Sequence, residues 1–392
     1  FRGELDSLLH WKQRKGFLAD IVYTDDPQVG NTSTSIANYL RSQYNSVTAS
    51  RPAPTYVLLV GDVEQIPAFA GVAFYPNHPT DLYYATWTSG DHLPDCHYGR
   101  FSANTLSHLA AQVDKTLDYE QYAFADDAFL SKAILISGID INTPSYSTEF
   151  AAPSMDYIAT LYANAANGLN SVAYYKNNTA INPNASGVTV YSNINASTAL
   201  RGKINEGSAF TFYSGHGTTA GWYSPSLYFN NVSSLSNYGK YGIMVATGRL
   251  ANKDDDSESL GEMLLRRVNA GAVGYIGASN STHWRQDFYF AVGIRSNISS
   301  TMYQAYNPNF MGMADRLFHT HGEARNDWYT TAGSILMAGN MTVQSSSSSA
   351  KGYYWEIYHL MGDPSVMPWL GTAEEMNVQN ELSTLMGSTG FE

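Results

Sequence analysis

The residues best placed to do chemistry lie in Tyr213-Ser214-Gly215-His216-Gly217-Thr218, where an apolar stretch from Ala209 to Tyr213 delivers a histidine between two glycines. A second apolar stretch, Gly242 to Thr247, also ends in a glycine, Gly248. In parallel α/β sheets, reactive groups gather beyond the carboxyl ends of neighbouring strands. A histidine at one such end and a thiol at the next would make a hydrolase, with the imidazole activating the sulfur. The histidine is present. Where the nucleophile is expected the chain has Arg249, which stays protonated and only donates, so it serves as neither nucleophile nor base.

The flanking sequence supplies the elements that would hold such ends together. Leu5 to Lys15 has helical spacing, Gly16 stops it, and Phe17 to Tyr23 reads as a strand. A helix over Ser33 to Tyr44 leads to the apolar run Tyr56 to Val60, which ends in Gly61-Asp62. The alternation continues with a helix from Leu106 to Tyr122, a strand Ala133 to Ser137 ending in Gly138-Ile139-Asp140, and a helix near Pro153 to Ala166. Further strands fall at 209–213, 242–247 and 272–277, with a helix Ser257 to Ala270 before the last. Continuous apolar strands alternating with amphipathic helices predict an α/β fold with a mostly parallel sheet covered on both faces. The polar stretch Asn167 to Thr198 is the expected internal boundary, and Gln344 to Ala350, with its run of serines, reads as a flexible surface loop.

Composition narrows the class. A chain of 392 residues, 44% hydrophobic with 29 tyrosines, can bury a large core. With 22 basic against 34 acidic residues, the net charge of −12 argues against a nucleic-acid partner. The one cysteine, Cys96, excludes an internal disulfide framework and reads as a small buried hydrophobe. No run of about 18 apolar residues could span a membrane. Low lysine with abundant Asn, Ser, Thr and Tyr has the look of an exported bacterial surface protein. The opening at Phe1 looks like that of a processed or truncated product.

Taken in order, Trp11-Lys12, Lys15-Gly16-Phe17, Tyr23-Thr24-Asp25, Leu59-Val60-Gly61-Asp62, Asp81-Leu82-Tyr83-Tyr84, Gly215-His216-Gly217, Gly277-Ala278-Ser279, and Tyr353-Tyr354-Trp355-Glu356 through Gly362-Asp363 to Met367-Pro368 form a connected pattern. In it the chain resembles the catalytic domain of the gingipains, most of all the lysine-specific kind. The resemblance implies a caspase-like α/β/α sandwich in two sub-units, near 1–125 and 126–370, with 371–392 leading toward a following domain. It also implies calcium, a secreted or cell-surface location, and a cysteine endopeptidase acting on protein or peptide substrates at lysine. A strand that the family places before the first helix is absent from this chain.

The same resemblance assigns roles residue by residue. His216 becomes the general base and acid, Asp140 the carboxylate that orients it, and position 249 that of the nucleophile; the alternatives are a structural histidine and a helix-capping aspartate. The backbone N–H of Gly217, with that of residue 249, would form the oxyanion hole, where one donor is worth roughly 3 kcal/mol. Asp287, in Trp284-Arg285-Gln286-Asp287, would sit at the floor of the pocket that takes the substrate ammonium, with Trp284 and the hydroxyls of Ser214 and Thr247 lining it. Arg249 itself is a rival occupant, able to reach Asp287 or Asp140. Asp62, Ser89, Asp91, the Leu93 carbonyl and Asp95 match a calcium site of hard oxygen donors; a plain polar turn is the competing reading. Asp254-Asp255-Asp256 is a vaguer cation candidate or a solvated loop.

Three functions remain in competition on these grounds: a gingipain-like peptidase in an inactive Cys-to-Arg form, a natural pseudopeptidase serving as a surface adhesion or binding module, and an unrelated hydrolase that attacks with Ser214 or Ser279.

Overall fold

In the computed structural model, residues 1–140, 143–176, 187–192, 197–248, 258–300 and 307–375 are described. They build around a sheet of nine strands: β1 (Tyr56–Val60), β2 (His97–Phe101), β3 (Lys132–Ser137), β4 (Ser171–Lys176), β5 (Val188–Tyr191), β6 (Phe210–Ser214), β7 (Ile243–Thr247), β8 (Gly274–Ala278) and β9 (Tyr358–Met361). Their order across the sheet is β1-β2-β9-β8-β7-β6-β3-β4-β5.

The strands exist because their side chains divide cleanly between two apolar layers. Leu135, Phe210, Phe212, Ile243 and Val245 enter one core, and Ile134, Ile136, Tyr213, Met244 and Ala246 the other. That period of two leaves no polar face, so both sides must be covered. Helices Ala152–Leu161, Trp284–Val292 and Ala332–Ser345 cover the first layer, and Ser197–Glu206 with Leu260–Arg266 the second. This is the three-layer α/β/α arrangement expected. Capping side chains set the helix starts: Thr32 and Ser35 form a reciprocal box at Ser33–Asn45, as do Ser259 and Glu262 at Leu260–Arg266, and Thr105 caps Leu106–Glu120.

Strand direction decides where a site can be. The six strands from β8 to β5 are parallel to one another. β9 runs antiparallel to β8 and parallel to β2, which is parallel to β1. Hence β1, β2 and β9 point against the other six, and the rim where the six strands end is the rim where β1 and β2 begin.

Several expectations are corrected. Phe17 to Tyr23 joins no ladder; Phe17 packs edge-on against Tyr56 at 5.8 Å and Ile21 packs against the cluster that includes Leu5, Leu8 and Phe101, but an open groove is lined by both this segment and β1. Asn167 to Thr198 is no divide where it is described, since β4 and β5 lie in it and extend the sheet edge. Its polar composition hides Val172, Ala173, Tyr174 and Tyr175, all buried. The serine run is less loop-like than it reads: helix Ala332–Ser345 reaches into it, and Ser346 and Ala350 are buried.

Candidate active site

The register of the central strands brings Ser137, Ser214 and Thr247 side by side, so that the chain leaves the sheet at the same level three times. The next residues are all glycines, Gly138, Gly215 and Gly248, and contact explains why. A Cβ on Gly215 would meet the Gly138 Cα at 2.9 Å, and one on Gly248 would meet the Gly215 carbonyl oxygen at 2.5 Å. The three exits can lie against one another only without side chains.

Beyond those exits, His216 and Asp140 meet. The imidazole Nε2 stands 3.0 Å from Asp140 Oδ2, with the histidine side chain 28% exposed and the aspartate 5%. Asp140 is fixed from three further directions. Its Oδ1 accepts from the Thr143 N–H at 2.8 Å, its own N–H donates to Ser147 Oγ at 2.6 Å, and the Trp284 indole N–H donates to Oδ2 at 3.2 Å. The histidine backbone is held as well, its carbonyl accepting from the Tyr213 hydroxyl at 2.5 Å. The Trp284 ring stands perpendicular to the imidazole, centroids 5.7 Å apart. With Nε2 facing the carboxylate, Nδ1 is the nitrogen left to exchange a proton with a reacting group. Gly217 pairs with Trp222 in a short three-stranded sheet beside the histidine.

Ser214 and Thr247 are buried at this rim, the Thr247 hydroxyl donating to the Tyr213 carbonyl at 3.4 Å. Asp287 lies one turn beyond Trp284 on the same helix face. It is 4% exposed and accepts from the Tyr354 and Tyr358 hydroxyls at 2.8 and 2.7 Å. No Lys or Arg among the described residues pairs with it, and burial pushes its carboxyl up to about 6. The two tyrosines were not among the expected site residues, although Tyr354 stands in the aromatic run that stood out in the sequence.

The expected calcium donors do not come together. Pairing of Tyr56 with His97 sets Asp95 beside position 54, near the start of β1, whereas Asp62 follows its end. At about 3.3 Å per residue the two carboxylates are roughly 26 Å apart along the strands. Each already has partners: Asp62 pairs with Arg266 at 2.7 Å, and Asp95 Oδ2 accepts from the Trp87 and Thr88 amides at 2.6 and 2.8 Å. Asp91 bonds the Leu93 amide at 3.0 Å, and Ser89 is exposed. Among the described residues no three His, Cys, Asp or Glu side chains group to hold a metal ion. Residues 249 and 254–256 lie outside the described residues.

The alternative nucleophiles fit poorly. Ser279 is fully buried, donates to the Pro79 carbonyl at 2.9 Å and faces His359 at 3.2 Å. Asp81 and Arg100 complete that cluster, which resembles a triad in composition but is sealed from solvent. Cys96 is buried, and burial pushes its thiol well up, so it is inert.

A histidine held by a carboxylate beyond adjoining parallel strands, on a three-layer scaffold, is an arrangement compatible with the α/β hydrolase and peptidase classes. The chain belongs to peptidase family C25, whose pattern matches residues 1–369, and this is a family of cysteine peptidases. Lys-gingipain of Porphyromonas gingivalis is 32% identical over 376 residues, covering 94% of this chain and 20% of the relative. Gingipain R2 of the same organism is 26% identical over 237 residues, 60% of this chain and 29% of its own. A solved structure titled "Structure of Protease" matches with a TM-score of 0.82 at 29% identity, over 98% of this chain and 79% of that one. The crystal structure of the Arg specific cysteine proteinase gingipain R has a TM-score of 0.70 at 18% identity over 94% and 77%, a likeness of fold. The chain spans about a fifth of the length of the Lys-gingipains it matches. No helix among the described residues is long and apolar enough to cross a membrane.

Proposed function

We propose that this is a gingipain-like endopeptidase domain that binds protein segments at lysine and, with Arg249 in the nucleophile position, does not cleave them. The observation that carries this reading is the 3.0 Å contact of His216 with Asp140, one exit away from Gly248. Against Gly215, the residue before His216, packs Gly248, the residue before the nucleophile position. A cysteine there would lose its proton to Nδ1, attack the carbonyl carbon, and leave the imidazolium to protonate the departing amine. The N–H groups of Gly217 and residue 249 would take the oxyanion.

Lysine recognition rests on Asp287. A buried carboxylate without a counter-cation is costly, and an incoming ammonium would relieve that cost. The name of the 32% relative refers to lysine, in keeping with this reading. Composition and family resemblance together suggest a secreted or surface location, with further domains following.

The second reading, a pseudopeptidase that binds and does not cut, is favoured by Arg249 itself. Replacing Arg249→Cys decides between them: lysine-directed cleavage abolished by thiol reagents supports the peptidase, and a folded variant that cleaves nothing leaves the binding module.

A further inference from the structure

A loop far from His216 in sequence carries bulky rings on the outside. Residues 71–78 close a hairpin whose short strands are Phe69–Ala70 and Pro79–Thr80. At its tip Phe74 is 50% and Tyr75 48% exposed. Exposed aromatics are ordinary when scattered, but these form one group: Phe74 lies 5.4 Å from the His283 ring and 5.7 Å from Tyr353, and Tyr75 lies 6.3 and 5.7 Å from the same two. His283 directly precedes Trp284, whose ring faces His216. The Tyr354 hydroxyl that donates to Asp287 at 2.8 Å also accepts from the His283 N–H at 2.9 Å, so the patch borders the residues that hold Asp287.

The loop is also held rigidly in an uncomfortable shape. Phe74 has φ of 56°, a left-handed conformation that a bulky residue adopts only when its surroundings enforce it. Enforcement comes from Glu356, whose buried carboxylate accepts from the Val72 and Ala73 amides at 3.1 and 2.9 Å, from the Tyr83 hydroxyl, and contacts His78 at 3.0 Å. Glu356 sits on helix Lys351–Ile357, the same helix that sets Tyr353 under the aromatic group and Tyr354 on Asp287. One helical turn thus fastens both the loop and the lysine pocket.

We propose that Phe74, Tyr75 and His283 form a subsite that takes an aromatic side chain of the bound peptide, a few residues from the lysine. This rests on the peptidase-like reading of the site. Because one tyrosine bonds both His283 and Asp287, a peptide whose lysine reached Asp287 would pass the aromatic group within a few residues. The three rings carry no fixed charge, and burial holds His283 below its usual titration range. That favours an aromatic occupant, because ring pairs at 4.5 to 7 Å gain beyond their buried area.

The test is fluorescence anisotropy with the unmodified chain, which binds without cutting, and labelled peptides of one lysine in a serine background carrying Phe at each position from two to six on either side. At one position Phe should tighten binding about three- to tenfold over Ser. Phe74→Gly, which suits the left-handed backbone, should bring that ratio near one, and Phe74→Tyr should keep it. No position preferring Phe, or a preference that survives Phe74→Gly combined with Tyr75→Ser, overturns the subsite. So does a dimer in sedimentation that Phe74→Gly dissolves, since the patch then belongs to a second copy. Cleavage by the Arg249→Cys chain without aromatic preference sinks the subsite alone; aromatic preference in a chain that Arg249→Cys never activates sinks the peptidase reading alone.

Discussion

Trp284 donates its indole N–H to the same Asp140 oxygen that faces His216. One side chain thus orients the carboxylate and, through its ring, walls the imidazole. Partners of this kind fix the orientation of a catalytic group without touching the reacting bond.

Removing that donor while keeping a ring should therefore loosen the pair. In an Arg249→Cys background, Trp284→Phe is expected to lower kcat about tenfold, with Asp140→Asn costing more. Steady-state kinetics on a lysine peptide check this; equal rates for Trp284→Phe and its parent would remove the indole from the catalytic arrangement.

Asp287 sets a pH dependence whose sign can be worked out. Burial raises its carboxyl from 3.8 to about 6, so the folded chain holds a proton over a range where the unfolded chain has released it. Stability from this group is then full below the unfolded value and is lost as pH rises through about 6. At pH 7 the ionised form is a liability, and Asp287→Asn should stabilise the fold by about 1 to 3 kcal/mol. Below pH 4 the gain should vanish. Thermal unfolding at both pH values checks the sign, and an Asn variant that melts earlier at pH 7 refutes it.

The same titration bears on recognition. Discrimination between lysine and an uncharged residue of similar length should weaken between pH 7 and pH 5, as the carboxyl takes its proton and loses its attraction for an ammonium. Peptide affinities measured in parallel for the two residues report it. A constant ratio across that range would mean that Asp287 does not meet the lysine.

Much of this was legible in the sequence where one signal had one meaning. The glycines after β3, β6 and β7, and the alternation of apolar residues in Phe210 to Tyr213, placed His216 and Asp140 at a common rim. What escaped was information that no local pattern holds. That β1 and β2 pair in parallel cannot be read from either strand alone, yet it is what sends Asp62, after the end of one, and Asp95, before the start of the other, to opposite rims. Tyr354 looked like a core residue and is one; that its hydroxyl and that of Tyr358 reach Asp287 follows only from the packing of helix Lys351–Ile357 against helix Ala332–Ser345 and of Tyr358, at the start of β9, on Phe290 of helix Trp284–Val292. Phe17 to Tyr23 carries a strand-like pattern, but pattern alone does not supply a neighbour with which to pair.

Glu356 offers a stability test independent of activity. It lies among groups that donate to its ionised form, and although burial opposes ionisation, the bonds from His78, Tyr83 and the two amides prevail and hold its carboxyl down to about 2. Replacing it strands buried donors, so Glu356→Ala should cost about 2 to 4 kcal/mol and free the loop at 71–78 to exchange amide hydrogens. With a folded value below the unfolded one, the contribution is present above pH 4.5 and fades only as pH falls toward 2. Chemical denaturation at pH 7 measures the loss, and an unchanged midpoint would mean the loop is not anchored there.

Arg266 marks where the calcium expectation and the fold part company. Its guanidinium reaches Asp62 at 2.7 Å, Glu262 at 2.9 Å and Glu258 at 3.1 Å, so a cation of the chain's own already occupies the centre of that acidic cluster. A divalent ion at Asp62 would have to displace a bidentate-capable, permanently charged partner that is itself buried. Chelation should accordingly leave the melting temperature unchanged, whereas Arg266→Met should lower it by several degrees and make it sensitive to added calcium, because three carboxylates would then face one another unneutralised. A drop with chelator in the unmodified chain would show that a cation contributes to the fold, and the exchange of Arg266 for Met would tell whether Asp62 is where it binds.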